Sequence, residues 1–209
     1  MKLRGSIASG LLLLLVPANA QVIEFESGGL HYQTLTRGGI TVMFAHLPSQ
    51  VRRFAAIQVA VSNGSSELCV VRPEDFYIEY DGAVVQAVPA LAVITELIRN
   101  ASGKDVIELV TTYEAGLYGF GRIRSTNGYE RRRQAALAYV SSARLKAAAA
   151  ASAIALVQTV LRPGESTDGA VFYPAPPRTV KWCRVRAEVG GYRFEFNPTE
   201  FSRDGKKAK

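Results

Sequence analysis

Histidine and cysteine are nearly missing from this 209-residue chain, which holds 2 of each, together with 2 Met and 1 Trp. So few Cys exclude a disulfide-dense scaffold. With so few His as well, a zinc-finger array or a multi-His metal cage is excluded. No G-x-S-x-G, H-E-x-x-H or Cys/His signature occurs, so the nucleophilic and zinc hydrolases that those motifs mark are not indicated. The glycine-rich run Gly116–Arg122 has neither the spacing of a P-loop nor that of a dinucleotide fingerprint, and it reads as a connection. Apolar runs stay below the roughly 20 residues that span a bilayer as a helix. What is present, 48% hydrophobic and 21% charged residues, supports a packed core and excludes a disordered or collagen-like chain.

The first segment reads as an address. Lys2 and Arg4 precede a short apolar run, Leu11 to Val16, and Ala18-Asn19-Ala20 follows it. A basic start, an apolar middle and an A-x-A exit are the pattern of a secretory signal peptide. Cleavage is expected after Ala20, leaving an exported periplasmic or extracellular protein with no membrane-spanning anchor. The chain carries 25 Lys and Arg against 18 Asp and Glu, and losing Lys2 and Arg4 leaves a charge of +5. Most of that excess lies after residue 87. In an exported protein this favours an anionic envelope component over nucleic acid. Arg131, Arg132 and Arg133 are the candidate polyanion-binding residues, and 203–209 is read as a basic, disordered tail.

Strand patterns flank a helical block. Gly28-Gly29 and Gly38-Gly39 separate alternating runs over residues 22–47, which predicts a three-stranded meander. A strand is expected over Phe54–Ser62, and a hairpin at Asp81-Gly82. In a hairpin at Gly190-Gly191, Val189 faces Tyr192, Ala187 faces Phe194, Glu188 faces Arg193 and Arg186 faces Glu195. That register puts apolar pairs on one face and opposite charges on the other, the arrangement cross-strand energetics favours.

Residues 88–165 read as helical. Pro89 suits the first turn of a helix carrying Leu91, Ile94 and Ile98, and Ser102 with Asp105 forms a capping-box variant. A long helix is expected from about Asn127 to Leu161, with a small-residue seam through Val140, Ala143, Ala147, Ile154 and Val157 as a partner-binding stripe.

Two further expectations concern chemistry. In the meander register Glu26 lies opposite His31, and His31 opposite His46, so the only histidines become neighbours beside a carboxylate. Two His and one carboxylate are a donor set for a divalent metal. Cys69 and Cys183 sit in strand-like runs, and export would permit a disulfide between them. Asn63-Gly64-Ser65 and Asn100-Ala101-Ser102 match the N-glycosylation pattern.

The run Ile57–Asp81, IQVAVSNGSSELCVVRPEDFYIEYD, resembles the start of exported bacterial immunoglobulin-like β-sandwich domains. That resemblance implies a sandwich core and a binding or assembly role. The fold expected is α+β: an antiparallel immunoglobulin-like β-sandwich over 21–202 with a helical insertion at about 88–165. The function expected is a non-enzymatic binding or assembly module that engages a protein partner or itself through the helical insertion, without a cofactor. The alternatives are a metal-binding protein or metal-dependent enzyme using Glu26, His31 and His46, and a binder of anionic envelope surfaces or polymers.

Overall fold

A computed structural model describes residues 21–27, 29–110, 135, 142–176 and 182–200. The expected signal peptide, Gly116–Arg122, Arg131 to Arg133, Val140 and the basic tail lie outside the described residues. In chain order the strands are β1 (Ile23–Ser27), β2 (Leu30–Arg37), β3 (Ile40–Val51), β4 (Phe54–Asn63), β5 (Cys69–Val71), β6 (Phe76–Tyr80) and β7 (Ala83–Gln86). The helices α1 (Ala90–Asn100), α2 (103–110) and α3 (Ala143–Ile154) follow. After them come β8 (Thr159–Leu161), β9 (Ser166–Pro174), β10 (Trp182–Val189), β11 (Tyr192–Glu195) and β12 (Thr199–Glu200).

Turn chemistry sets the hairpins. The glycine pairs at 38–39 and 190–191 and the Asp81-Gly82 pair close two-residue loops, giving Arg37↔Ile40, Val189↔Tyr192 and Tyr80↔Ala83, and β1 meets β2 at Ser27↔Leu30. Such loops require positive φ, which glycine adopts without strain. The expected pairs Glu188↔Arg193 and Arg186↔Glu195 form, with side-chain contacts of 3.2 and 3.3 Å.

Two antiparallel sheets result, in the orders β1-β2-β3-β4-β9 and β11-β10-β6-β7, with β12 also on β10 and a separate ribbon of β5 and β8. In the first sheet, β4 is buried on both faces. From β4, Ile57, Val59 and Val61 meet Phe76, Ile78, Val185, Ala187 and Phe194 of the second sheet in one core. Ala56 and Ala60 point the other way, into a second core with Val93 and Leu97 of α1 and Ala147, Ala150 and Ala151 of α3. The molecule is therefore layered as sheet, sheet and helices. Two faces to bury explain why β4 is apolar from Phe54 to Val61, the buried Gln58 excepted, rather than alternating.

The helical layer enters and leaves across one strand edge. Leaving β7, the chain donates Val88 N–H to Phe172 O at 2.8 Å; returning after α3, it donates Leu156 N–H to Ala170 O at 2.9 Å. Both acceptors are on β9, so the two crossings cap the open edge of the first sheet. The return passes directly over Gly169, where a Cβ would stand 2.6 Å from Leu156 Cα. On the opposite side Arg52, in the β3–β4 turn, reaches Asp105 of α2 at 3.4 Å. Asp105 also accepts hydrogen bonds from Ser102 N at 2.6 Å and Ser102 Oγ at 2.8 Å, the expected capping pair.

Three expectations are corrected. The continuous helix to Leu161 is not formed: Ser142 is extended (φ −79, ψ 134), α3 spans 12 residues, and Ala155 is again extended. Val157 lies beyond the helix, and Leu161 is in β8, paired with Cys69. The buried stripe of α1 is Val93 and Leu97, whereas Leu91 is 71% and Ile98 45% exposed.

Cys69 and Cys183, finally, are both free and buried. The Cys69 sulfur lies beside Gly190, at the turn end of β10, while Cys183 is near the opposite end of that strand. Seven residue steps along β10 lead from Gly190 to Cys183, about 23 Å at about 3.3 Å per residue. A disulfide needs its Cα atoms within about 7 Å.

Candidate functional sites

The histidines belong to a polar corner at one end of the sandwich. Glu26↔His31 and Tyr32↔Ala45 pair as the sequence predicts, which sets His31 and His46 on one face of adjacent strands. The side chains sort themselves differently. His31 Nε2 reaches diagonally to Glu24 Oε2 at 3.5 Å. Gln33 Nε2 donates to Thr199 Oγ1 at 2.9 Å and to Asn197 O at 3.3 Å, and Asn197 Nδ2 donates to Glu24 Oε1 at 2.9 Å. The segment leading into β12 is thereby strapped across β1 and β2.

His46 stands edge-on to Phe44, ring centroids 5.4 Å apart, and both its ring nitrogens are closed off from solvent. Burial, and secondarily the charge of His31, push its pKa down to about 4. A His held neutral could ligate a metal, but the set is incomplete. Among the described residues no three His, Cys, Asp or Glu side chains form a group that could hold one. Of the expected Glu26, His31 and His46 set, His31 turns to Glu24 and the ring nitrogens of His46 are closed off from solvent.

A second concavity, about 210 Å³, lies where the β2–β3 turn, the 63–68 loop and the β10–β11 turn meet, lined by Gly38, Ser65, Glu67, Leu68, Cys69 and Tyr192. The Tyr192 ring packs where a side chain at Gly38 would stand, which requires the glycine. Asn63 builds the loop. It is 0% exposed. Its Nδ2 donates to Glu67 O at 2.7 Å and Leu161 O at 3.0 Å, while Oδ1 accepts from Ser65 N at 3.0 Å. Both amide protons are therefore committed, which removes Asn63 as a glycan acceptor in the folded chain. Asn100, at the end of α1, is exposed.

The thiols are poorly reactive. Burial, then Asp75, raises the pKa of Cys69; burial, then Asp81, pushes Cys183 up to about 11. Each stays a neutral thiol near pH 7, a weak nucleophile.

On the helical layer, Ala147 and Ile154 of the expected seam are spent inside the molecule. Ala147 and Ile154 are 0% and 2% exposed in the helix–sheet core, Val157 is half-buried beyond the helix, and Ala143 is exposed in the first turn. What sequence reasoning missed is the opposite surface: Leu91, Ile98, Ile107 and Leu145 are 71%, 45%, 67% and 49% exposed. The signal was present, since Ala90, Val93, Leu97 and Ala101 match the helical period as well as Leu91, Ile94 and Ile98 do. Among the described residues no helix is long and apolar enough to cross a membrane. Comparison with known proteins found no matching family model, no matching curated protein and no matching solved structure.

Proposed function

We propose that the chain is an exported, non-enzymatic binding or assembly module on an immunoglobulin-like sandwich, with its interaction surface on the outer face of the helical layer. The observation that carries this reading is the set Leu91, Ile98, Ile107 and Leu145, large apolar side chains left exposed while the other side of the helices is docked on the sheet. Scattered apolar residues need no explanation, but several on one layer mark an interaction surface. Export rests on the leader pattern of residues 1–20.

Strand pairing supports the immunoglobulin-like part. The constant-type sandwich has A-B-E-D in one sheet and C-F-G in the other. With β3, β4, β6, β9, β10 and β11 as A, B, C, E, F and G, the pairs β3–β4, β4–β9, β6–β10 and β10–β11 are A–B, B–E, C–F and F–G. Where strand D would pair with E, the Val88 and Leu156 crossings bond to β9 instead. On this reading the helical layer replaces strand D, and the polar corner of Glu24, Gln33, Asn197 and Thr199 serves to strap strands together.

Photocrosslinking in expressing cells tests the proposal. A photoreactive side chain at Leu91 or Ile107 is expected to give discrete protein adducts, and one at the exposed Trp182 of the second sheet is not. Adducts through Trp182 alone, or none through Leu91 and Ile107, would overturn it.

A further inference from the structure

The open edges of the two sheets are treated unequally. In a two-residue hairpin, alternate residues of the edge strand turn their N–H and C=O outward. On β1 these are Glu24 and Glu26, and on β11, where Phe196 N–H bonds Val185 O, they are Arg193 and Glu195. Charged residues at such positions blunt an edge against pairing with another chain. The β9 edge is capped at Ala170 and Phe172 by the two crossings of the helical layer. On β7, Ala87 N–H bonds Phe76 O, so the outward pair is Val84 and Gln86. Neither is charged, Val84 is 55% exposed, and among the described residues no backbone group bonds the outward N–H and C=O of either. Val85, between them, packs only partly into the sandwich core.

We propose that β7 pairs antiparallel with β7 of a second copy, about a twofold axis through Val85, joining the two outer sheets into one. The register is self-complementary. Val84 exchanges both backbone hydrogen bonds with Gln86 of the other copy, Gln86 does the same with Val84, and the two Val85 residues meet at a non-hydrogen-bonded position. An isologous contact of this kind closes at two copies. Charge is compatible with the register. Across the joined outer face the row runs Arg184, Glu79, Val84, then Gln86, Tyr77 and Arg186 of the second copy, so no like charges adjoin. It also completes the burial of Val85. With only 4 residues in β7, the contact is small and the dimer weak. This inference is independent of the helical-layer reading, which concerns another face.

Sedimentation of the mature chain over a wide concentration range should show a reversible monomer–dimer equilibrium, abolished by Val84→Lys or by Val84→Pro. The proline removes an outward donor and leaves the β6–β7 bonds intact. Val85→Cys should form an interchain disulfide under mild oxidation, because non-hydrogen-bonded cross-strand Cα atoms lie about 4.5 Å apart. Glu24→Cys on the β1 edge should not. A monomer at all concentrations with no Val85→Cys cross-link would overturn the proposal, as would a dimer that survives Val84→Lys or a cross-link to a different protein.

Discussion

The two faces of the first sheet are packed by different means. Among the described residues, 21 buried ones form the core toward the second sheet and only 2, Ala87 and Ala187, are alanine. Toward the helices 10 of the 20 described ones are alanine. Large β-branched and aromatic side chains remove much apolar area from water, and that area is what stabilises. Alanine buries little but lets backbones come close. The sheet–sheet core therefore holds most of the stability, while the helix–sheet core works by fit and is vulnerable to enlargement rather than truncation.

The largest expected effect is in the first core. Phe44 is 1% exposed and meets Phe196 edge-to-face at 4.8 Å. Phe44→Ala is expected to cost about 3–5 kcal/mol in denaturant unfolding. Next comes Gly169→Ala at the crossing, where the added methyl meets Leu156 backbone and not a movable side chain. It should cost about 3 kcal/mol, the upper part of the range for overpacking. Ala147→Leu, in the alanine-rich core, should destabilise by about 1–3 kcal/mol although it adds apolar area. If it were neutral or stabilising, the close-approach account of that face would fail.

The fourth prediction concerns pH. His46 has its pKa lowered from 6.5 to about 4, so between those values the unfolded chain binds the proton that the folded chain refuses. Stability is then full above pH 6.5 and falls as pH drops toward 4. A His46→Phe variant should show a flatter profile over that window. The smallest effect expected is none. Since Cys69 and Cys183 are free and distant, adding reductant should leave the melting temperature of the mature chain unchanged.

Hairpins were legible because two-residue turns and cross-strand pairs reinforce each other. A one-residue slip at Gly190-Gly191 would break both the Val189↔Tyr192 and the Glu188↔Arg193 matches. The ends of α3 were not. Residues 143–161 contain neither Gly nor Pro, and Val157 to Leu161 suit a helix and a strand equally until Cys69 supplies a partner. Register brought Glu26 and His31 opposite each other, as read. Which carboxylate His31 meets goes with the strap through Asn197, whose Nδ2 holds Glu24 Oε1, a contact more than 160 residues away in sequence. The cysteines were rightly placed on strands, but where along β10 the partner ribbon would sit is a property of the assembled sandwich.

Native-state hydrogen exchange tests the contrast between the two cores most directly. The account predicts that the amides of β4 exchange only through global unfolding, while those of α1 and α3 exchange through a partial opening of lower free energy. Equal protection of the helices and β4, or a β4 that opens first, would contradict it.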